Sequence, residues 1–356
     1  MTAVDAHAPI YVGLDVSQTT TAVCAVGAND EPLLEASVAT DPKRIADVIS
    51  RLKATPAIVG LEAGGQSEWL ARGLRAYGLS VAVLEAVRVR RYASVSPIKS
   101  DRSDAQVIAR LLKGRLFREV HVKSPDARAV RTLLVQRQST MVSMRGCKNS
   151  IRGALRAHGV VLPPRADAKF TERVHHELSG DNHLSLVLAP QLELWEHHRS
   201  VLGQYDRLLA DVARSNLTIR LLQTMPGVGE IVATAFWCTI DDPWRFRNPR
   251  DVGAYIGLTP FLSQSGDHRV RGGISRHGDS LLRGLLFMGA RTAMFNSQQS
   301  TDLLDWAARI RERRGPKRAA IALARRMSVV LVHMWRRNEG YQPRYRAKRP
   351  AADSLA

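Results

Sequence analysis

The spacing of hydrophobic residues changes once along this chain, near residue 125, and that change constrains the fold more than any single motif. Before it, short β-branched runs alternate with helical patterns. Ile10-Tyr-Val-Gly-Leu-Asp15, Thr20-Thr-Ala-Val-Cys-Ala-Val26, Ala57-Ile-Val-Gly-Leu61 and Ser80-Val-Ala-Val-Leu84 read as strands, with Pro32–Val38 as a further one. Helices are expected over Pro42–Leu52, where Asp41 is the cap and Ile45, Val48, Ile49 and Leu52 share a face, over Ser67–Tyr77, closed by Gly78, and over Ser103–Leu112. The first segment is therefore α/β. After residue 125 strand signals nearly vanish. Leu133, Leu134, Met141, Met144, Ile151 and Leu155 recur at helical spacing within Ala127–His158, and a second helical stretch runs from Leu184 to Leu222, with Pro163-Pro164 turning the chain between them. Two long helices suggest a hairpin or coiled coil, and an ordinary helical subdomain is the alternative. A third segment opens at Met225-Pro-Gly-Val-Gly229 and continues as an apolar helix, Ile231–Thr239. A Gly/Ser-rich basic loop, Ser263–Gly278, precedes two closing helices, Leu281–Phe295 and Pro316–Trp335. The expected organisation is residues 1–125, 126–222 and 223–335, followed by a basic tail over 336–356 that stays disordered until it meets nucleic acid.

Charge narrows the function. Lysine and arginine number 52 against 33 acids in 356 residues, a net charge of +19. Such a surface attracts polyanions, because each neutralised phosphate releases condensed counterions. A ribosome-associated or membrane-surface protein is the blander reading, but arginine predominates and no basic amphipathic anchor is evident. No apolar run reaches the roughly 18–20 residues of a membrane helix, and the N-terminus lacks a secretory pattern. Three cysteines, Cys24, Cys147 and Cys238, lie too far apart for a metal finger or disulfide framework. The expected location is the bacterial cytoplasm. Aromatics at 6% argue mildly against a binder driven by base stacking.

Four acids stand at informative places. Asp15 ends one β-run, Glu62 ends another, and Asp101 and Asp104 lie three apart at a helix start, on one helix face. Carboxylates at the ends of neighbouring strands can converge with such a helix around one or two Mg²⁺ (or Mn²⁺) ions, which prefer oxygen ligands, as a phosphodiester site requires. Taken singly, each has an ordinary alternative: a turn acid at Asp15, a surface residue at Glu62, a helix cap at Asp101 or Asp104.

The ordered set Asp15, Glu62, Asp101, Asp104 resembles the DEDD pattern of the RuvC-like transposases of the insertion sequence 110 family. The matching text is Tyr11-Val-Gly-Leu-Asp15, Gly60-Leu-Glu-Ala63 and Lys99-Ser-Asp-Arg-Ser-Asp-Ala105. In the C-terminal half it is Met225-Pro-Gly-Val-Gly229, Tyr255-Ile-Gly-Leu-Thr-Pro260, Ser265-Gly266 and Gly272-Gly-Ile-Ser275. The resemblance implies an RNase H-like (RuvC-like) domain, a helical coiled-coil insertion and a mostly helical C-terminal transposase domain. It also implies DNA recombination guided by a bridge RNA that pairs with donor and target DNA. The family's catalytic serine aligns best with Ser265, with Ser263 in reserve and Ser275 third; Asp267 departs from the Ser-Gly-Gly-Lys that relatives often carry. The resemblance further implies that acids and serine come from different protomers of a synaptic tetramer built from dimers.

Other C-terminal residues suit phosphate contacts. Gly227 and Gly229 have the form of a helix-hairpin-helix turn, with a tight interhelical turn as the alternative. His268, Arg269 and Arg271 flank the serine, and Arg344, Arg346, Lys348 and Arg349 crowd the tail. The expected function is an RNA-guided transposase and recombinase acting through a serine–DNA intermediate. Its rivals are a metal-dependent junction-resolving nuclease that uses water, a non-catalytic nucleic-acid scaffold, and, from Gly13-Leu-Asp15 with Thr19-Thr-Thr21, an actin-like sugar kinase. That kinase would leave the basic charge unexplained and lacks a second phosphate loop.

Overall fold

The computed structural model describes residues 9–52, 55–94, 101–163, 169–180, 182–265 and 268–344. The chain divides into two compact units, Met1–Lys123 and Ser124–Ala356.

The first unit is built on five strands: β1 (Tyr11–Val16), β2 (Thr20–Val26), β3 (Pro32–Ala39), β4 (Ile58–Glu62) and β5 (Val81–Leu84), in the order β3-β2-β1-β4-β5. The first three form an antiparallel meander, whereas β4 and β5 run parallel to β1. Parallel strands need a crossover, and α1 (Pro42–Ile49) and α2 (Ser67–Ala76) supply it. This mixed sheet bears out the RNase H-like expectation. Val12, Leu14, Val23, Val59 and Leu61 point to one face and pack with Ile45, Val48, Ile49, Leu70 and Leu74 of α1 and α2. Asp41 accepts a hydrogen bond from the Arg44 amide and caps α1 as expected. The opposite face is covered by α4 (Asp101–Lys113), which follows α3 (Ala86–Ala93).

The second unit is mostly helical. Its helices are α5 (Pro125–Ala157), α6 (Phe170–Glu177), α7 (Asn182–Ser215), α8 (Leu217–Leu222), α9 (Glu230–Ile240), α10 (Val252–Tyr255), α11 (Ser280–Asn296), α12 (Asp302–Arg314) and α13 (Pro316–Arg337). The long helices α5 and α7 pack antiparallel. Cys147, Ile151 and Leu155 near the end of α5 meet Leu184, Leu188 and Trp195 near the start of α7, while Leu134 shares a core with Leu209 and Ala213. The sequence pattern predicts one helical stretch from Leu184 to Leu222. Instead Asn216 ends the run and caps α8, accepting from the Ile219 amide. Among the described residues no helix is long and apolar enough to cross a membrane.

Two further expectations are corrected. The glycines and charges from Ser263 onward predict a loop, but β6 (Pro260–Ser265) and β7 (His268–Ile274) form an antiparallel hairpin. The charge pattern places the start of a basic tail at Arg336, yet Arg336 and Arg337 close α13, and Arg336 donates to the carbonyls of Pro243 and Phe246. Its charge is directed at backbone oxygens inside the fold. Arg344 is described, whereas Arg346, Lys348 and Arg349 lie outside the described residues.

Candidate active site

The geometry of the acids follows from strand register. Leu14 of β1 pairs with Leu61 of β4 in parallel, so the next residues, Asp15 and Glu62, stand side by side at the ends of neighbouring strands. Side chains alternate along a strand, so Asp15 shares a face with Gly13, and Glu62 with Gly60. That face lies under α4. A Cβ on Gly13 would come within 2.0 Å of the Ala105 carbonyl oxygen, and one on Gly60 within 2.7 Å of Leu112 Cδ1. Both carboxylates therefore occupy the α4 side of the sheet.

The direction of α4 brings its first turn to the same end. At the far end of the helix Lys113 Nζ donates to Asp30 Oδ1 at 2.6 Å. Asp30 follows β2, whose last residue, Val26, pairs with Tyr11 at the start of β1. The helix thus runs antiparallel to β1, and Asp101 and Asp104 lie in its first turn, toward the Asp15 end. Asp104 is half-buried; the side chain of Asp101 lies outside the described part. Two loops meet at this end as well, because Gln66 Nε2 donates to the Gln18 carbonyl at 3.2 Å and ties the β4–α2 loop to the β1–β2 turn. Ser67 Oγ donates to the Gly64 carbonyl at 2.8 Å, holding the loop beyond Glu62 in shape.

A residue that sequence reasoning missed also belongs here. Arg90 of α3 places Nε 3.5 Å from Glu62 Oε1, and its side chain is 77% exposed. Arg88 and Arg91 sit on the same helix, with Arg88 paired to Glu85 at 3.5 Å. Val89 is the one buried residue of this helix, so it carries no apolar stripe that would mark it in the sequence. Arginines at one-turn spacing directly after a buried strand were the available signal.

Among the described residues no three histidine, cysteine, aspartate or glutamate side chains stand close enough to hold a metal ion. The donor chemistry still fits a hard divalent cation. Asp15 and Glu62 offer oxygen ligands from one face of adjacent strands, and the half-buried Asp104 comes from the helix above them.

In the second unit Ser265 is the last residue of β6 and pairs with His268; Gln264 pairs with Arg269 and Ser263 with Val270. The side chains of residues 262–271 lie outside the described part, as do Gly266 and Asp267 entirely. Arg271 pairs with Leu262, nearer the base. Ser275 lies beyond β7, where its amide donates to the Thr259 carbonyl at 2.8 Å. The two glycines of the turn before α9 differ. Gly227 has φ +80° and a Cβ there would lie 2.2 Å from the Gly289 carbonyl oxygen, so its smallness serves packing against α11; a Cβ on Gly229 would meet nothing within 4 Å.

Comparison with known proteins gives concordant matches. A family profile described as "Transposase IS116/IS110/IS902 family" matches residues 219–304, and a DEDD transposase profile of the IS110 type matches residues 12–159. The chain is 30% identical over 289 residues to the transposase for insertion sequence element IS1111A of Coxiella burnetii, covering 78% of this chain and 77% of that one. It is 28% identical over 296 residues to a probable family 20 transposase of Pseudomonas aeruginosa, covering 81% and 86%. It is 26% identical over 277 residues to the transposase for IS1328 of Yersinia enterocolitica, covering 77% and 82%.

Proposed function

The chain belongs to the IS116/IS110/IS902 family of transposases, enzymes that transfer DNA phosphodiester bonds, and we propose that it exchanges strands through a covalent Ser265–DNA intermediate under the guidance of a bridge RNA. The observation that carries the catalytic half of this reading is the register of β1 and β4, which sets Asp15 and Glu62 side by side beneath the start of α4. A DEDD domain implies a divalent metal. Asp15, Glu62, Asp101 and Asp104 are the residues that would hold Mg²⁺ or Mn²⁺. When bound, the ion supplies charge stabilisation to the leaving oxygen and lowers the pKa of an attacking hydroxyl.

Ser265 then has a defined task. Its Oγ forms a bond to phosphorus as the bond from phosphorus to a deoxyribose oxygen breaks; the proton leaves Oγ and the displaced oxygen gains one. The phosphodiester energy is kept in the phosphoserine, so religation to a new strand needs no external source. Water as nucleophile would discard it. His268, Arg269 and Arg271 suit the holding of phosphate oxygens beside the serine, and Gly229, with open space around its Cα, suits an approach to the DNA backbone at the start of α9. The charge of +19 supports binding of both DNA and RNA. Donor and target DNA, the guide RNA and a dimer that pairs into a synaptic tetramer are the partners this reading requires.

Covalent capture tests it. Wild-type protein incubated with donor DNA, bridge RNA and Mg²⁺ should yield a protein–DNA adduct whose nucleotide remnant maps by mass spectrometry to Ser265. Ser265→Ala should abolish adduct and recombination. Asp15→Asn or Asp104→Asn should abolish cleavage while nucleic-acid affinity stays within about twofold. A remnant on Ser263 or Ser275 would move the nucleophile. Cleavage without any adduct would instead identify a water-using nuclease.

A further inference from the structure

The segment between α9 and α10 displays an indole that the described core does not use. Trp244 is 67% exposed, although tryptophan is among the side chains with most to gain from burial. Its surroundings are nonetheless firmly built. Asp242 accepts a hydrogen bond from the Trp244 amide at 2.8 Å and fixes the turn Pro243–Arg245. Arg245 donates to the Ile240 carbonyl at 3.0 Å and lies 4.4 Å from the Phe246 ring and 4.3 Å from the Tyr255 ring. Arg336 reaches over from α13, donates to the Pro243 and Phe246 carbonyls, and places its guanidinium 4.9 Å from the Trp244 ring. A rigid frame thus holds a large aromatic ring outward, and two further arginines, Arg247 and Arg250, follow within six residues.

We propose that Trp244 is a stacking platform for an unpaired nucleobase, with Arg247 and Arg250 taking the adjoining phosphates of the same single strand. The reading rests on the family's nucleic-acid chemistry but names a site outside the carboxylates and the serine. Stacking needs a flat ring held at little entropic cost and left open to the ligand; the carbonyl-anchored Arg336 supplies the first condition and the exposure the second. The neighbouring guanidinium also polarises the ring electrostatically. A continuous duplex keeps its bases stacked on one another, so it offers this ring nothing. The ligand is a single-stranded segment, supplied either by RNA or by a displaced DNA strand.

The test uses the full chain with fluorescein-labelled oligouridylate, oligothymidylate and a fully paired two-strand DNA duplex, read by anisotropy and by quenching of tryptophan fluorescence. Trp244→Ala should weaken binding of a single strand by about tenfold while duplex affinity stays within about twofold. Trp244→Phe should keep most of the affinity yet lose part of the quenching, which separates stacking from misfolding. A larger loss on oligouridylate assigns the strand to RNA, a larger loss on oligothymidylate to DNA. Unchanged single-strand affinity, or an equal loss on the duplex, overturns the proposal. So does a concentration-dependent self-association that Trp244→Ala abolishes, because the ring would then belong to a contact between copies. Adduct capture on Ser265 does not depend on any of these outcomes, so the two readings fail separately.

Discussion

Single residues set the tolerances of the first unit. Gly13 lets the backbone of α4 lie directly on β1, and a methyl group there would meet main-chain atoms that cannot rotate away. Gly13→Ala should therefore cost about 1–3 kcal/mol of stability through overpacking and loosen the first turn of α4 beside Asp15. Gly64→Ala, with open space around its Cα, should stay within about 0.5 kcal/mol. Denaturant midpoints of the two variants check the contrast. Cys24 sits on the same buried face, where burial pushes its thiol up from 9.0 to about 11. Between those values an unfolded chain has released the proton that the folded chain still binds, so stability falls as pH rises through that window. The stability advantage of wild type over Cys24→Ala should shrink between pH 9 and about 11, measured by urea unfolding across that range. All three cysteines are buried, so thiol reagents should react slowly with the folded protein and fully with the unfolded one.

Among the elements, the helices differ in how visible they are in the sequence. The strands β1, β2, β4 and β5 and the helices α1 and α2 were legible because each carries a run or stripe of buried apolar residues. The short α3 and α12 were not, since Val89 and Ala307 are the single fully buried residues of each. In α12 the signal lay in the ends. Thr301 accepts from the Leu304 amide, Asp302 and Asp305 fill the first turn, and Arg311, Arg313 and Arg314 fill the last, matching the helix dipole. The charges and glycines of the β6–β7 hairpin read as a loop, although Gly266-Asp267 is an ordinary two-residue turn signal. The start of α11 offers a quantitative test. Asp279 accepts from the Leu282 amide at 2.8 Å and also pairs with Arg131 of α5 at 2.6 Å, with a side chain only 12% exposed. Asp279→Ala should destabilise by about 2–4 kcal/mol, as cap and ion pair disappear together. Asp279→Asn keeps the cap acceptor and should recover roughly 1 kcal/mol of that; thermal unfolding of both variants measures the split.

Over the whole molecule, charge is the property that scales. The excess of 19 positive charges should make binding of DNA salt-dependent, and its cations fall into two kinds. Arg336 is committed to carbonyls within the fold, so Arg336→Ala should lower stability and leave the salt dependence nearly unchanged. Arg344, Arg346, Lys348 and Arg349 follow α13 in the sequence. Replacing all four with alanine should reduce the slope of log K against log salt on duplex DNA by about 0.9 for each phosphate that is no longer neutralised, measured by anisotropy titrations at several salt concentrations. An unchanged slope would show that the tail takes no part in the complex.

Composition and local pattern alone determined the polyanion partner, the change from α/β to helical architecture near residue 125, and the order of the four acids. These are properties of neighbouring residues, and propensity and period act over a turn or a strand. Which acids become neighbours was decided only by the tertiary structure. Asp15 and Glu62 are far apart in sequence and adjacent in space because β4 pairs in parallel with β1, a pairing that requires the intervening crossover. The placement of Arg90 at Glu62, of Arg336 on the Pro243 turn, and of α4 against Gly13 arises in the same way. Each depends on a close approach between distant segments, and a backbone approach of that kind leaves no periodic trace in the residues that make it.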